Sequence, residues 1–316
     1  MTRYGFRFRR IGRSLSRGEL MRSSVDPLDG LTDQELLDKN AGRRFLDFYG
    51  DEGLRQALEA YGFLDALRRR GWDDFTIETV AQDERHTLIL SGVDAGGGEP
   101  ERLLELVVRR DRLRLEPWSA ELEEDWAILG RRGWEVLTVD WLTLRNPKRT
   151  FTEDRPRLPG QDAPGLGVGE QVLELLYRIV DRLRLDGLLT VAEHFHNAVL
   201  YARELPFADP SCGGRFHALE DLLLHREGLS FAQSAWAVAW GYVLDEADCA
   251  VRWRGEAMVH ATDRQLRDYL QSQTYRDVLE RTSNGLRYRL HRSAFDEHWA
   301  EKAEALLAPP ASPDDS

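Results

Sequence analysis

Lysine is almost missing from this chain. Lys39, Lys148 and Lys302 are the three lysines among 43 basic residues. Such a skew toward arginine points to a GC-rich bacterial coding sequence and carries no activity. Cysteine is scarce as well. Cys212 and Cys249 stand far apart and build neither a disulfide framework nor a zinc module on their own, so they read as reduced thiols. No apolar run approaches the roughly 20 residues that a bilayer span needs. Ala235–Leu244 is too short and reads as core. The N-terminus carries no apolar leader pattern, which makes the cytoplasm the expected address. Positive net charge is also lacking. At −12 the body of the protein is a poor non-specific ligand for nucleic acid. What is present is 316 residues, 42% of them hydrophobic, with nine tryptophans, enough for one large or two ordinary domains around a sizeable core.

The charge is uneven. Residues 1–22 hold seven arginines (3, 7, 9, 10, 13, 17 and 22) and one acid, Glu19. Residues 1–30 therefore read as a basic arm suited to an anionic partner, nucleic acid or lipid. The plainer alternative is a solvated tail or a strap over the acidic body.

Periodicity orders the rest. Thr32 and Glu35 form a capping box for a helix Asp33–Lys39, ended by Asn40-Ala41-Gly42. Leu54, Leu58, Tyr61, Leu64 and Leu67 recur at helical spacing over 51–70, and Arg68–Arg70 suit that helix's negative C-terminal end. The period then changes to two. Phe75–Val80 and His86–Ser91 read as a hairpin. Leu103–Leu115 reads as a strand with Leu104, Leu106 and Val108 on one face, and Glu135–Leu144 as a further strand. Trp126–Gly133 is expected to be a short helix or turn, and Asn146–Pro164 a proline-rich loop. Helix Glu170–Leu183 follows, with Val172, Leu173, Leu176, Val180 and Leu183 as its apolar stripe and Arg178, Asp181 and Arg182 on its wet side. Gly187–Ala192 is a strand and Asn197–Glu204 a helix. Beyond, Arg215–Arg226 and a buried Phe231–Tyr242 are helical, Val251–Trp253, Met258–His260 and Leu286–Leu290 are short strands, Asp263–Thr282 is one helix or two, and Ala294–Leu307 closes the fold. This predicts an α/β (α+β) protein with a mixed, mostly antiparallel sheet flanked by helices. Its divisions are the arm 1–30, an α/β domain 31–207, a mainly helical extension 208–308 and an acidic tail 309–316.

Residues 165–176, Gly-Leu-Gly-Val-Gly-Glu-Gln-Val-Leu-Glu-Leu-Leu, run three alternate glycines into an amphipathic helix. Glycine admits close backbone approach, and a helix start offers unpaired N–H groups with partial positive charge. Together they suit a phosphate or pyrophosphate. The alternative is a tight turn with no ligand. The order strand, glycine loop, helix, strand, helix, with Gly167-Val168-Gly169 before Val172-Leu173, resembles the acetyl-CoA-binding core of the GCN5-related N-acetyltransferase superfamily. Asn197-Ala198-Val199-Leu200-Tyr201 and Pro206-Phe207 look like that superfamily's pattern after its fifth strand. The resemblance covers residues 75–207 in topology and 164–207 in motif.

The resemblance implies an acyl-CoA-dependent N-acyltransferase acting on an amine-bearing small molecule or protein. Backbone N–H groups of Gly165, Leu166, Gly167, Val168, Gly169 and Glu170 would cradle the coenzyme's pyrophosphate. Tyr201 would be the general acid for the leaving thiolate, with His194 or His196 near the acceptor. The cofactor would be acetyl-CoA or another acyl-CoA. Three departures from the family pattern, Pro164 before the glycines, His194 in place of an Asn and Pro206 in place of a Gly, support a rival reading. In it a degenerate fold without catalysis engages protein or nucleic acid.

From the residues alone, His194-Phe195-His196 puts two imidazoles on one side of an extended segment. They suit acid–base or positioning work near neutrality, and the spacing to Cys212, His217 and His225 matches no standard zinc module. Tyr201 is a buried structural phenol on the alternative reading. Glu135 and Asp140 would relay an amine proton or simply face arginines. Trp236 and Trp240, four apart, read as packing.

Overall fold

The arginine-rich arm is folded over residues 5–23. The computed structural model describes residues 5–23, 44–115 and 133–310. The expected helix Asp33–Lys39 and its caps, most of the segment 126–133, and residues 311–316 of the tail lie outside that range. Helix α1 spans Gly5–Ser14 and a single turn, α2, spans Arg17–Leu20. Gly5, Phe8 and Leu15 share one side and are buried. Ser16 and Glu19 close a capping box at α2. The Phe8 ring lies 4.8 Å from that of Tyr61. Within residues 5–23 the arm is thus a docked strap.

Helices α3 (Asp51–Ala60) and α4 (Phe63–Arg68) replace the single helix expected over 51–70. The break is Gly62, whose φ of +71° is cheap for glycine alone. The predicted stripe is otherwise correct: Leu54, Leu58, Tyr61, Leu64 and Leu67 are all buried. Gly53 is glycine for another reason. A Cβ there would sit 2.0 Å from the Leu20 carbonyl oxygen. The N–H groups of Gly50 and Gly53 donate to the carbonyls of Leu20 and Arg22 at 3.0 and 3.1 Å. The arm therefore meets α3 backbone to backbone.

Strands β1 (Trp72–Gln82), β2 (Arg85–Asp94), β3 (Glu101–Leu113) and β4 (Trp134–Leu144) follow, longer at their starts than the alternation alone suggested. β1 and β2 form an antiparallel hairpin over Asp83-Glu84, in register Glu78 to Ile89, and β2 pairs antiparallel with β3, Leu88 opposite Leu106. Leu88, Leu90, Leu104, Leu106 and Val108 are buried. Helix α5 (Gly169–Leu183) then crosses to β5 (Gly187–Ala192). Asp186 N–H donates to the Glu135 carbonyl, and Glu135 N–H to the Asp186 carboxylate at 2.9 Å. These bonds hold the starts of β4 and β5 together, so the two strands run the same way, as a helical crossover requires. On α5, Val172, Leu176 and Val180 are buried. Arg178 is a correction: it is mostly buried rather than on the wet side, because Glu174 lies 2.9 Å from it on the same inner face.

The remaining elements are α6 (Phe195–Tyr201), α7 (Pro210–Glu220) with a π-turn Asp221–Arg226, α8 (Phe231–Ala239), β6 (Val243–Leu244), β7 (Glu256–Ala261), α9 (Arg264–Leu270), α10 (Gln273–Gly285), β8 (Arg289–Leu290) and α11 (Arg292–Lys302). The span 263–282 is two helices because Ser272 caps a new start at the Tyr275 N–H. Val251–Trp253 is not a strand; instead the Trp253 indole donates to the Ala192 carbonyl at 2.8 Å. The architecture is α/β, a mixed six-stranded sheet in the order β1-β2-β3-β4-β5-β7 with helices against it, plus a β6-β8 pair. The chain divides into two compact units, residues 1–111, 135–147 and 165–188, and residues 112–134, 148–164 and 189–316. In the second unit Phe195, Phe207, Phe216 and Trp253 gather into one aromatic core.

The glycine seam gives a stability test. Gly53→Ala should lower the unfolding free energy in urea by about 2 kcal/mol, since the added methyl meets backbone that cannot swing aside. Gly18→Ala, whose Cβ meets nothing within 4 Å, should leave it unchanged or raise it slightly.

Candidate functional site

In the first unit the glycine segment leads into α5. Leu166 and Val168 are 3% and 1% exposed. They turn inward and fix the segment, so the alternate residues Gly165, Gly167 and Gly169 face solvent. The three glycines differ in what requires them. Gly167 has φ +69°, a left-handed conformation. Gly165 and Gly169 do not. A Cβ at Gly165 would lie 3.7 Å from the Leu144 carbonyl oxygen, and one at Gly169 4.0 Å from the Leu144 side chain, both ordinary contacts. The same distances set the segment against the carboxyl end of β4. The Val168 carbonyl receives the N–H groups of Gln171 and Val172 at 3.0 and 3.1 Å. Among the described residues no acceptor engages the N–H groups of Gly167, Val168 or Gly169. Glu170 stands in the first turn of α5, where its charge complements the helix end.

Arg70 joins this corner. Its guanidinium donates to the Ala66 carbonyl at 2.6 Å and to the Gly167 carbonyl at 3.0 Å. The first bond is the helix-end role expected for the 68–70 run. The second, across 97 positions, has no local signal in the sequence. Arg68 pairs instead with Glu59 and Asp65. Asp140, considered as a proton relay, is held by both Arg85 and Arg109 at 3.1 Å, which binds up its carboxylate. Glu135 sits at the first bonds of β4, occupied by Asp186 through its backbone.

In the second unit the two histidines are brought together. His194 is the N-cap residue of α6 and His196 lies in its first turn. Their rings stack at 5.3 Å with planes 10° apart. This contact needs Gly160: a Cβ there would fall 2.5 Å from His194 Nε2, and Gly160 has φ +75°. His196 is 5% exposed, has the Phe231 ring edge-on at 6.2 Å, and its buried Nδ1 has no hydrogen-bond partner. Burial, with His194 beside it, pushes its pKa from 6.5 down to about 4. It is therefore a neutral imidazole at pH 7. Tyr201 ends α6, and burial raises its phenol pKa, so it keeps its proton. Cys212 is buried and its thiol pKa is raised, first by burial and then by Asp209. Trp236 and Trp240 pack with ring centroids 4.8 Å apart and planes tilted by 31°. Among the described residues no group of three or more His, Cys, Asp or Glu is arranged to hold a metal ion.

No family model, curated protein or solved structure matches the chain.

The buried imidazole makes stability depend on pH. The folded pKa of His196 lies below its unfolded one, so the unfolded chain binds more protons as pH falls. Stability should be intact above pH 6.5 and drain away toward pH 4, by up to about 3 kcal/mol. Urea titrations across that range should show the slope, and His196→Phe should flatten it.

Proposed function

We propose that this chain is an acyl-CoA-dependent N-acyltransferase, with the glycine corner of α5 as the seat of the coenzyme's pyrophosphate. One observation carries the reading. Gly165 and Gly169 are glycines that the protein's own packing does not demand, and they face outward beside N–H groups that take no acceptor among the described residues. A bare backbone there serves whatever comes close from outside. The corner at the carboxyl end of β4, ahead of a helix in a parallel strand–helix–strand unit, is where such folds accept phosphates. The Arg70 guanidinium adds positive charge at the Gly167 carbonyl.

An acyl-CoA supplies the acyl group as a thioester. On this reading an acceptor amine forms the new N–C bond as the C–S bond breaks, and the amine proton and the thiolate each need a partner. Tyr201, His194 and His196, the groups that the resemblance implies for that work, belong to the second unit, whereas the glycine corner belongs to the first. The net charge of −12 favours a cationic acceptor. The rival, a protein that keeps the fold without the cofactor, draws support from Glu170, whose carboxylate already complements the start of α5.

Calorimetry separates the two. Coenzyme A and acetyl-CoA should bind with micromolar affinity. Gly165→Ala with Gly169→Ala should fold with unchanged or slightly raised thermal stability and bind at least about tenfold more weakly, the loss of one close charged contact or more. No binding at millimolar coenzyme A would leave the non-catalytic reading in possession.

A further inference from the structure

We infer that the outer face of α1 is a docking surface for an anionic lipid bilayer. The helix has two faces. Gly5, Phe8 and Leu15 point into the first unit and are buried. Phe6, Arg9, Arg10 and Arg13 recur at i, i+3, i+4 and i+7 on the opposite side, and Arg7 flanks them. All five are exposed, Phe6 to 81%.

The charge on this face is unanswered among the described residues. Several surface arginines elsewhere are paired with carboxylates: Arg68 with Glu59, Arg102 with Glu105, Arg215 with Glu256, Arg289 with Asp248 and Arg292 with Asp296. Arg7, Arg9, Arg10 and Arg13 have no carboxylate partner among the described residues. A chain with 55 acidic residues has ample means to neutralise them. Keeping four together, on a helix with no acid in its first turn, builds a positive stripe that attracts an anionic plane.

Phe6 decides which plane. It stands at the N-terminal end of the arginine stripe and leaves its phenyl ring in water. At a bilayer it enters the headgroup–acyl boundary, while the arginines extend to lipid phosphates around it. The mount is firm: Arg182 donates to the carbonyls of Gly12 and Leu15 at 2.6 and 3.1 Å, and Phe8 anchors the inner face. The stripe is thus displayed already helical, and binding carries no cost of folding the arm. Its length, about 15 Å, suits one or two turns of headgroup contact. No helix among the described residues is long and apolar enough to cross the membrane, so the attachment is to the surface and depends on salt.

Vesicle flotation with the full chain tests this. Phosphatidylcholine vesicles containing one phosphatidylserine in three should carry the protein at low salt, and pure phosphatidylcholine should not. Arg9→Gln, Arg10→Gln and Arg13→Gln combined should weaken partitioning by about a hundredfold, near fivefold per charge. Phe6→Ser should weaken it several-fold with no charge changed. Both variants alter exposed side chains, and unchanged thermal unfolding confirms their fold. Equal recovery with neutral and anionic vesicles, or variants that float like the parent, overturns the proposal. So does binding to a single-stranded oligonucleotide without binding to vesicles.

Discussion

The packing of α5 on the apolar strand face of Leu88, Leu104 and Leu106 fixes both ends of the first unit. Val172, Leu176 and Ile179 of α5 surround, with those strand residues and with Leu15 and Leu20 of the arm, a cavity of about 60 Å³. A void of that size costs on the order of 1.5 kcal/mol if empty, little beside the burial around it. From this seat α5 does two things. Its last turn, through Arg182, grips the carbonyls of Gly12 and Leu15 and so holds the arm. Its first turn holds out Gly169 and the amides before it. The Glu174–Arg178 pair, on the same helix and nearly dry, stiffens the middle, and Asp181 also holds Arg178, at 2.6 Å.

Charge is organised just as locally. A chain at −12 can keep a concentrated positive face only if its carboxylates are spent elsewhere. Asp140 is spent on Arg85 and Arg109, Glu59 and Asp65 on Arg68, and Asp296 on Arg292. These exposed pairs are individually weak. Their effect is on the field: they cancel short-range charge where they form, while α1 carries four arginines on one short helix with no carboxylate partner among the described residues.

What the sequence conveys depends on the range of the interaction behind each element. Alternation and helical spacing are local, and they found the β1–β4 strands, α5, β5 and the buried stripe of Leu54 to Leu67. They missed the break at Gly62, because a left-handed glycine and a helix-interior glycine look alike in letters. Arg178 was misread as wet because its partner, Glu174, and its burial come from what packs opposite. At the glycine corner the segment itself was legible and its neighbour was not: Arg70 arrives from 97 residues away. The His194–His196 pairing was visible from spacing. The reason it closes into a stack was not, since that lies in Gly160 on a distant loop. The second unit, with short helices and two-residue strands, was the hardest to read because caps such as Ser272 and bonds such as Trp253 to Ala192, rather than periodicity, set its boundaries.

The glycines themselves distinguish internal need from external use. Gly50, Gly53 and Gly214 are small because backbone lies 1.8 to 2.6 Å from where a Cβ would be. Gly62, Gly160 and Gly167 take a left-handed φ. Each of these six is accounted for by the protein's own geometry. Gly165 and Gly169 fall in neither class, and glycine at the start of a helix costs conformational entropy that alanine would save. Gly18 and Gly285 are equally free of internal constraint, so what sets Gly165 and Gly169 apart is their place beside the exposed amides at the start of α5. On the function proposed above, their partner is an anion approaching N–H groups that take no acceptor among the described residues, at the positive end of a 15-residue helix.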